Sequence, residues 1–201
     1  RFPLAAQLPV GLVASPVPAG SRAIGLAVVA AREALAASGV APGMLGLAVG
    51  SCTGGLHGSE ESYLGAGPEL VNDVYRDQPV GRIVAQLRRR LRIRGPVTAH
   101  AEACASAAGA LIEAVGWIRS GLVPGALIVG TDPLTRLTMA GFNALQIIDP
   151  VGCRPFAEER AGMSLGEGAV AVVLEEEGSA LRRGAKPLAR LLGWGMAGDA
   201  H

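Results

Sequence analysis

The sequence carries little charge and almost no excess of either sign. Charged residues make up 17% of its 201 positions, and the formal net charge is +1. Such a balance gives no global reason to expect nucleic acid or an anionic membrane as the partner. No apolar run approaches the roughly 18 residues of a membrane-spanning helix. Residues 1–20 lack a basic segment followed by an apolar core and a cleavage site, so we expect no signal peptide.

Cysteine is also scarce. The three cysteines, Cys52, Cys104 and Cys153, are an odd number at wide spacing, and no C-x-x-C pair is present. Neither a disulfide framework nor a zinc site is therefore indicated, and we expect no metal and no cofactor. A reducing cytoplasm is the compartment that fits this cysteine usage.

What the chain does contain is apolar sequence in short periodic segments. Half of its residues are hydrophobic, enough for one sizeable core. Residues 1–20 carry four prolines and predict an extended lead-in, and 59–78 predicts a loop with short helical turns. Helices are predicted at 21–38 with Ser21 as the cap, 80–91, 104–120, 133–148 and 179–183, and strands at 45–49, 97–103, 126–129, 169–175 and 187–192. This alternation predicts an α/β layered sheet without a second domain.

Cys104 is the most informative residue, because a strand-like run ends there and a helix-forming run begins. The thiolate is the reactive form of cysteine. Unpaired backbone N–H groups at a helix N-terminus stabilise an adjacent anion. The position therefore suits a thiol used as a nucleophile.

Two motifs carry a resemblance to a known family. The first is Gly95-Pro96 followed by Ala103-Cys104-Ala105-Ser106; the second is Arg154-Pro155-Phe156 followed by Glu159-Arg160, Gly162 and Leu165-Gly166-Glu167-Gly168-Ala169. In order and spacing they resemble the β-ketoacyl-acyl-carrier-protein synthases of the thiolase superfamily, from about Ser21 to His201. The resemblance implies a thiolase-like layered α/β/α fold, of which 21–201 is most of the N-terminal half-domain.

The same resemblance implies a chemistry. Cys104 matches the nucleophile that takes an acyl group as a thioester, which a carbanion from decarboxylated malonyl carrier then attacks. Its own backbone N–H matches one of two donors to the thioester oxygen. Thr138 and Phe142 resemble acyl-pocket positions, and Met163 lies where a gating phenylalanine is common. The implied partners are an acyl carrier protein and a second subunit, as a homodimer or a heterodimer.

This sequence also departs from the family. Ala107 and Ala161 replace a usual glycine and aspartate, which puts acyl specificity in doubt. The family's two catalytic histidines and phenylalanine-glycine loop belong to a second half of the fold, and no segment here matches them or the family's opening strand. We therefore expect the other half of the fold to be needed for the condensation.

Two alternatives stay open. Cys104-Ala105-Ser106 also resembles thiolases, although the motif from Arg154 to Gly168 argues against them. The other alternative is a non-catalytic partner subunit that sets chain length in a heterodimer, although such subunits usually lack the cysteine.

Other polar residues are expected to be structural. Cys52 and Cys153 have no helix start beside them. His100 precedes Cys104 by four residues, about 13 Å on a straight strand, so direct pairing requires a sharp bend. Glu167 is expected to accept N–H bonds from a loop. The arginines at 88–90, 92 and 94 predict a solvated face, with carrier docking as the alternative.

Overall fold

The computed structural model describes residues 8–14, 16–17, 21–66 and 75–198. In chain order the elements are α1 (Arg22–Ser38), β1 (Leu45–Gly50), α2 (Leu56–Ala66), α3 (Val80–Leu91), β2 (Val97–His100), α4 (Ser106–Arg119), β3 (Gly125–Asp132), α5 (Arg136–Ala144), β4 (Gly168–Glu175) and α6 (Glu177–Arg182), with 3-10 turns at Pro42–Met44 and Ala103–Ala105. The strands form one sheet in the order β2-β1-β3-β4.

The sheet is parallel through its first three strands and antiparallel at β4. β1 pairs with β2 from Leu47↔Val97 to Gly50↔His100, and with β3 from Leu45↔Gly125 to Gly50↔Gly130. β4 runs back along β3. The carboxyl ends of β1, β2 and β3 therefore lie at one edge of the sheet, and the residues that follow these strands can meet there.

One face of the sheet carries the main core. Every residue of β1 is buried, and its alternate side chains Leu45, Leu47 and Val49 pack in one cluster with residues of α1 and α3. This alternation is the period of two expected of a strand. Each fully buried leucine contributes about 1.5–3 kcal/mol, so this cluster is the main source of stability.

The opposite face is covered by α4, and the residues there are small. Ala48 of β1 clusters with Ala110 and Ala114 of α4. A Cβ at Gly46 would lie 2.7 Å from the Trp117 ring. Glycine and alanine on both elements let α4 approach the strand closely, which fixes the start of α4 relative to the end of β1.

Most of the predicted elements are present, and three predictions are wrong. Ser21 forms no capping hydrogen bond, and its hydroxyl is buried without a partner among the described residues. Helix α2 occupies 56–66, where a loop was expected from 59 onward, whereas 67–74 lies outside the described residues. No strand forms at 187–192: among the described residues no strand pairs with the outer edge of β4, and Leu188 and Leu192 are exposed.

The lead-in is extended where it is described and is held at one point. Gly11 N donates to Leu165 O, and Glu167 N donates to Gly11 O, both at 2.9 Å. Glu167 accepts from Val13 N and, through its other oxygen, from Arg22 Nε, both at 3.0 Å. Glu167 is thus the structural carboxylate that the sequence predicted, and its pKa is lowered chiefly by the bond with Arg22.

Candidate active site around Cys104

The turn that carries Cys104 is strained. β2 ends at His100, and Ala103 then adopts φ 49°, a left-handed conformation that alanine rarely takes. Such a conformation costs about 1–3 kcal/mol and is concentrated at functional sites. Cys104 is exposed and lies two residues before α4, at the positive end of the helix dipole. The predicted setting of this cysteine is therefore present, with a one-turn 3-10 segment between strand and helix.

Ser106, the first residue of α4, holds that turn together. Its hydroxyl accepts from Glu102 N at 2.8 Å and donates to Ala103 O at 2.7 Å. Ser106 is 2% exposed, so water does not compete for these bonds. The serine fixes the backbone on both sides of the strained residue.

Strand β1 supports the same turn from below. A Cβ at Gly50 would lie 2.4 Å from the carbonyl carbon and oxygen of Ser106. Ser51 N donates to His100 O at 3.1 Å, which extends the pairing of β1 with β2 past the strand end. Only glycine fits at position 50, because the opposing atoms are backbone and cannot rotate away.

Asp132, at the end of β3, organises the loop that follows β1. Its carboxylate accepts from Ser51 Oγ at 2.9 Å, Cys52 N at 3.0 Å, Thr53 N at 2.8 Å and Thr53 Oγ1 at 2.9 Å. Ser51 Oγ in turn accepts from Gly54 N at 2.8 Å. The carboxylate accepts hydrogen bonds from backbone N–H groups that have no strand or helix partner, and this makes the loop rigid.

That loop places a second thiol beside the first. Cys52 Sγ donates to Ala103 O at 2.8 Å, directly before Cys104. Although Cys52 is exposed as a residue, desolvation of its thiol and the charge of Asp132 raise its pKa to about 11. Cys52 is therefore protonated at neutral pH, which agrees with the prediction that it is not the nucleophile.

His100 pairs with a carboxylate. Its Nδ1 lies 2.9 Å from Glu102 Oε1, while Nε2 is buried and has no hydrogen-bond partner among the described residues. Gly109 of α4 makes room for this pair, since a Cβ there would lie 2.0 Å from Glu102 Oε2. The bend that a Cys–His pair would require does exist, but the bond that His100 makes is with Glu102.

Helix α5 carries two of the predicted substrate residues. Glu60 caps it from α2, accepting from Arg136 N and Leu137 N at 2.8 Å each. Thr138, half-buried, shares a hydrogen bond of 2.6 Å with Thr135 Oγ1, and Phe142 is half-buried one turn later. Thr138 and Phe142 stay predicted pocket residues.

A cavity of about 520 Å³ adjoins α5 on another side. It is lined by residues of the lead-in, α1, α2 and α5, by Glu167 and by the segment before α5: Leu8, Leu12, Val13, Arg22, His57, Glu60, Glu61, Leu134, Thr135, Arg136, Met139, Ala140, Asn143 and Glu167. Neither Thr138 nor Phe142 lines it.

Comparison with known proteins agrees with this arrangement. Residues 15–180 match the family described as "Beta-ketoacyl synthase, N-terminal domain". The chain belongs to the β-ketoacyl synthase family. It is 37% identical over 186 residues to nodulation protein E of Rhizobium sp. (strain N33), with 87% of this chain and 46% of that protein covered.

Two further relatives are also about twice as long as the part that this chain matches. It is 31% identical over 190 residues to 3-oxoacyl-[acyl-carrier-protein] synthase 2 of Staphylococcus aureus, with 87% of this chain and 47% of that protein covered. Among solved structures, the ishigamide ketosynthase/chain length factor superposes with a TM-score of 0.74 at 30% identity, covering 92% of this chain and 48% of that one. The chain thus spans about half the length of the curated relatives it matches.

The second synthase motif, from Arg154 to Gly168, is built around a carboxylate that sequence reasoning missed. Asp149 is fully buried and accepts from Arg154 Nη2 at 2.8 Å, Ala161 N at 3.0 Å and Val151 N at 2.9 Å. The Ala161 N–H and the Arg154 guanidinium hold the pKa of this carboxyl well below its usual range. The motif is therefore a rigid loop held by hydrogen bonds to one buried carboxylate, and its arginine is structural.

The backbone of this loop also fixes the position of Met163. Met163 N donates to Ile147 O at 2.9 Å, and Asp149 N donates to Met163 O at 2.8 Å. A Cβ at the preceding Gly162 would lie 2.5 Å from Ile147 O, so glycine is required for this pairing. Met163 is 47% exposed, and its gating role stays a prediction.

The remaining predicted surfaces are exposed as expected. The arginines at 88–90, 92 and 94 are all exposed, and no ion pair joins them to another described residue.

Within the described ranges no helix has the length and hydropathy needed to cross a membrane. The same ranges hold no group of three His, Cys, Asp or Glu side chains arranged to bind a metal.

Proposed function

We propose that the full protein is a carbon–carbon bond-forming acyltransferase in which Cys104 is the nucleophile. The observation that carries this proposal is the exposed thiol in a strained turn at the start of α4. Gly50 and Ser106 hold this turn in place, and Asp132 holds the loop beside it, so together they supply the rigidity that a positioned nucleophile needs.

The reaction proceeds in two steps. The Cys104 thiolate attacks the carbonyl of an acyl thioester on a carrier protein, and the carrier's thiol leaves. Malonyl carrier then loses CO₂, and its carbanion attacks the acyl group on Cys104, which forms the new carbon–carbon bond and releases the thiolate. The Cys104 N–H, near the N-terminus of α4, is one donor for the oxyanion of each tetrahedral intermediate.

We assign the acyl chain to Thr138, Phe142 and Met163. Two of these lie on α5, which the Glu60 cap fixes, and the third lies in the segment fixed by Asp149. The acyl group thus lies against rigid elements, and its length depends on how these side chains pack.

The acid–base groups for condensation come from outside this sequence. Its three histidines are His57, His100 and His201. His100 is bonded to Glu102, and His57 lines the cavity beside α5. We therefore assign residues 21–201 to an N-terminal half-domain that works with a second half of the same fold.

Formation of the acyl-enzyme tests the proposal. The full-length protein is incubated with acyl carrier protein bearing an octanoyl group, and the tryptic peptide 95–119 is examined by mass spectrometry. We expect an octanoyl adduct on Cys104 that is lost in Cys104→Ala and retained in Cys153→Ala. An adduct that persists in Cys104→Ala, or no adduct in the wild type, rejects the assignment. Octanoyl-coenzyme A in place of the carrier separates a synthase from a thiolase.

A second candidate is a partner subunit that sets chain length. The likeness to a ketosynthase/chain length factor favours it. The presence of Cys104 argues against it. Cys104→Ala distinguishes the two: a chain-length subunit carrying this change still supports product formation by the synthase it pairs with, whereas a catalytic subunit expressed without another synthase forms no product.

The second subunit, whether identical or not, requires a free surface. Within the part of the chain that the structure describes, strand β2 is at the edge of the sheet and pairs only with β1, so its outer backbone groups are available for another strand. Sedimentation of the full protein at micromolar concentration tests for a dimer.

A further inference from the structure

The site contains two thiols, and only one is used by the proposed function. Cys52 Sγ lies 2.8 Å from Ala103 O. Across a trans peptide, a carbonyl oxygen is about 2.8 Å from the next Cα, so Cys52 Sγ lies within about 5.6 Å of the Cys104 Cα. The Sγ of a cysteine lies about 2.8 Å from its own Cα, so rotation of the Cys104 side chain can bring its sulfur to within about 3 Å of Cys52 Sγ, and a small rotation of Cys52 closes the remaining gap.

A second observation supports the proximity of the side chains themselves. The charge of a Cys104 thiolate is one of the causes that raise the pKa of Cys52, which agrees with two thiols that lie in the same part of the site. Both residues are exposed. The loop of Cys52 is held rigidly by Asp132, so the two thiols stay side by side.

We propose that Cys52 and Cys104 form a reversible disulfide when the protein meets hydrogen peroxide, which turns off the nucleophile and protects it from further oxidation. The consequence for activity rests on the proposed function, whereas formation of the bond does not.

The chemistry balances in two steps. The Cys104 thiolate attacks one peroxide oxygen: an S–O bond forms, the O–O bond breaks, and the departing hydroxide takes a proton to become water. Cys52 then attacks the sulfur of this sulfenic acid: the S–S bond forms and the S–O bond breaks. The second hydroxide takes the proton that Cys52 loses. Two thiols lose two electrons in total, and one peroxide becomes two waters.

The order of these steps follows from the surroundings. Cys52 is protonated at neutral pH, because its pKa is raised to about 11, so the first attack on peroxide belongs to Cys104. The Asp132 carboxylate, which interacts with the Cys52 thiol, can take its proton in the second step and pass it to the departing hydroxide.

Peptide mapping tests the proposal directly, because trypsin places the three cysteines on separate peptides. Cleavage at arginine gives 33–76 with Cys52, 95–119 with Cys104 and 137–160 with Cys153. The full-length protein is treated with hydrogen peroxide, alkylated with iodoacetamide and digested without reductant. We expect peptides 33–76 and 95–119 to appear joined, two hydrogens lighter than their sum, and to separate with dithiothreitol.

Two variants give the controls. In Cys52→Ser we expect no joined peptide, and Cys104 should proceed to the sulfinic acid, which dithiothreitol does not reverse. In Cys153→Ser the joined peptide should form as in the wild type. A wild-type protein whose Cys104 becomes sulfinic without a link, stays unoxidised, or joins to Cys153 overturns the proposal.

Acylation separates this outcome from that of the proposed function. If octanoyl transfer occurs but no link forms, the switch is rejected and the nucleophile stands. If the link forms but no octanoyl transfer occurs, the acyltransferase assignment is rejected instead. If both hold, acylation of the oxidised protein should be lost and should return with dithiothreitol.

Discussion

Replacement of Gly50 by alanine should disturb the position of the nucleophile strongly. The added Cβ would meet the carbonyl carbon and oxygen of Ser106 at 2.4 Å, whereas ordinary contacts begin near 3.4 Å. Strand β1 and the first turn of α4 must therefore separate by about 1 Å. Overpacking of this kind costs about 1–3 kcal/mol. A misplacement of about 1 Å reduces the rate of a positioned reaction by roughly 100-fold.

Urea unfolding of the full-length Gly50→Ala protein measures the first effect, as a lower midpoint at unchanged slope. The rate of octanoyl transfer to Cys104 measures the second. The matched control is Gly81→Ala on the exposed surface of α3, where a Cβ meets nothing within 4 Å. Because alanine favours the helix, this control should be more stable by up to about 1 kcal/mol. If Gly50→Ala unfolds and acylates like the wild type, β1 does not fix the turn as described.

Three carboxylates give further predictions. Asp132→Asn should lower the pKa of Cys52 below its value of about 11. The pKa is read from the pH dependence of iodoacetamide labelling in a variant whose only cysteine is Cys52, and an unchanged profile contradicts the role given to Asp132. Glu60→Gln should reduce the free energy of unfolding by about 0.5–2 kcal/mol through loss of the α5 cap, with the exposed neighbour Glu61→Gln as the weaker control. Asp149 has a lowered pKa in the folded protein, so its contribution is complete above its unfolded-state pKa of about 3.9 and is lost as the pH falls below that value. Asp149→Asn should therefore flatten the dependence of unfolding free energy on pH between about 5 and 2, and equal slopes would count against it.

Local patterns were sufficient to predict the main elements. The apolar period in α3 predicts 80–91, and the helix occupies those residues because its buried side chains follow that period. The apolar strands β1, β3 and β4 were predicted to within a few residues for the same reason. The setting of Cys104 was also visible, because a strand pattern and a helix pattern meet there.

The polar framework of the site was not predictable in this way. Asp132 and the Ser51–Thr53 loop are about 80 residues apart in sequence, and only the parallel pairing of β1 with β3 brings them together. A carboxylate at the end of one buried strand and a glycine-rich loop directly after its parallel neighbour were the signal that could have found the pair. The strand predicted at 187–192 fails for a different reason: its apolar residues fit a strand pattern, but no strand of the described residues lies beside them to pair with.

The attachment of Gly11 and Val13 to the segment around Glu167 has a consequence for the order of folding. The Val13 bond spans 154 residues of sequence, so during synthesis it cannot form until most of this chain has left the ribosome. The edge of β3 is likewise uncovered until β4 has been made. During synthesis, closure by β4 and the lead-in can therefore follow only after β1, β2 and β3 have been made. Slow translation between β3 and β4 would lengthen the time during which this edge is open to other chains.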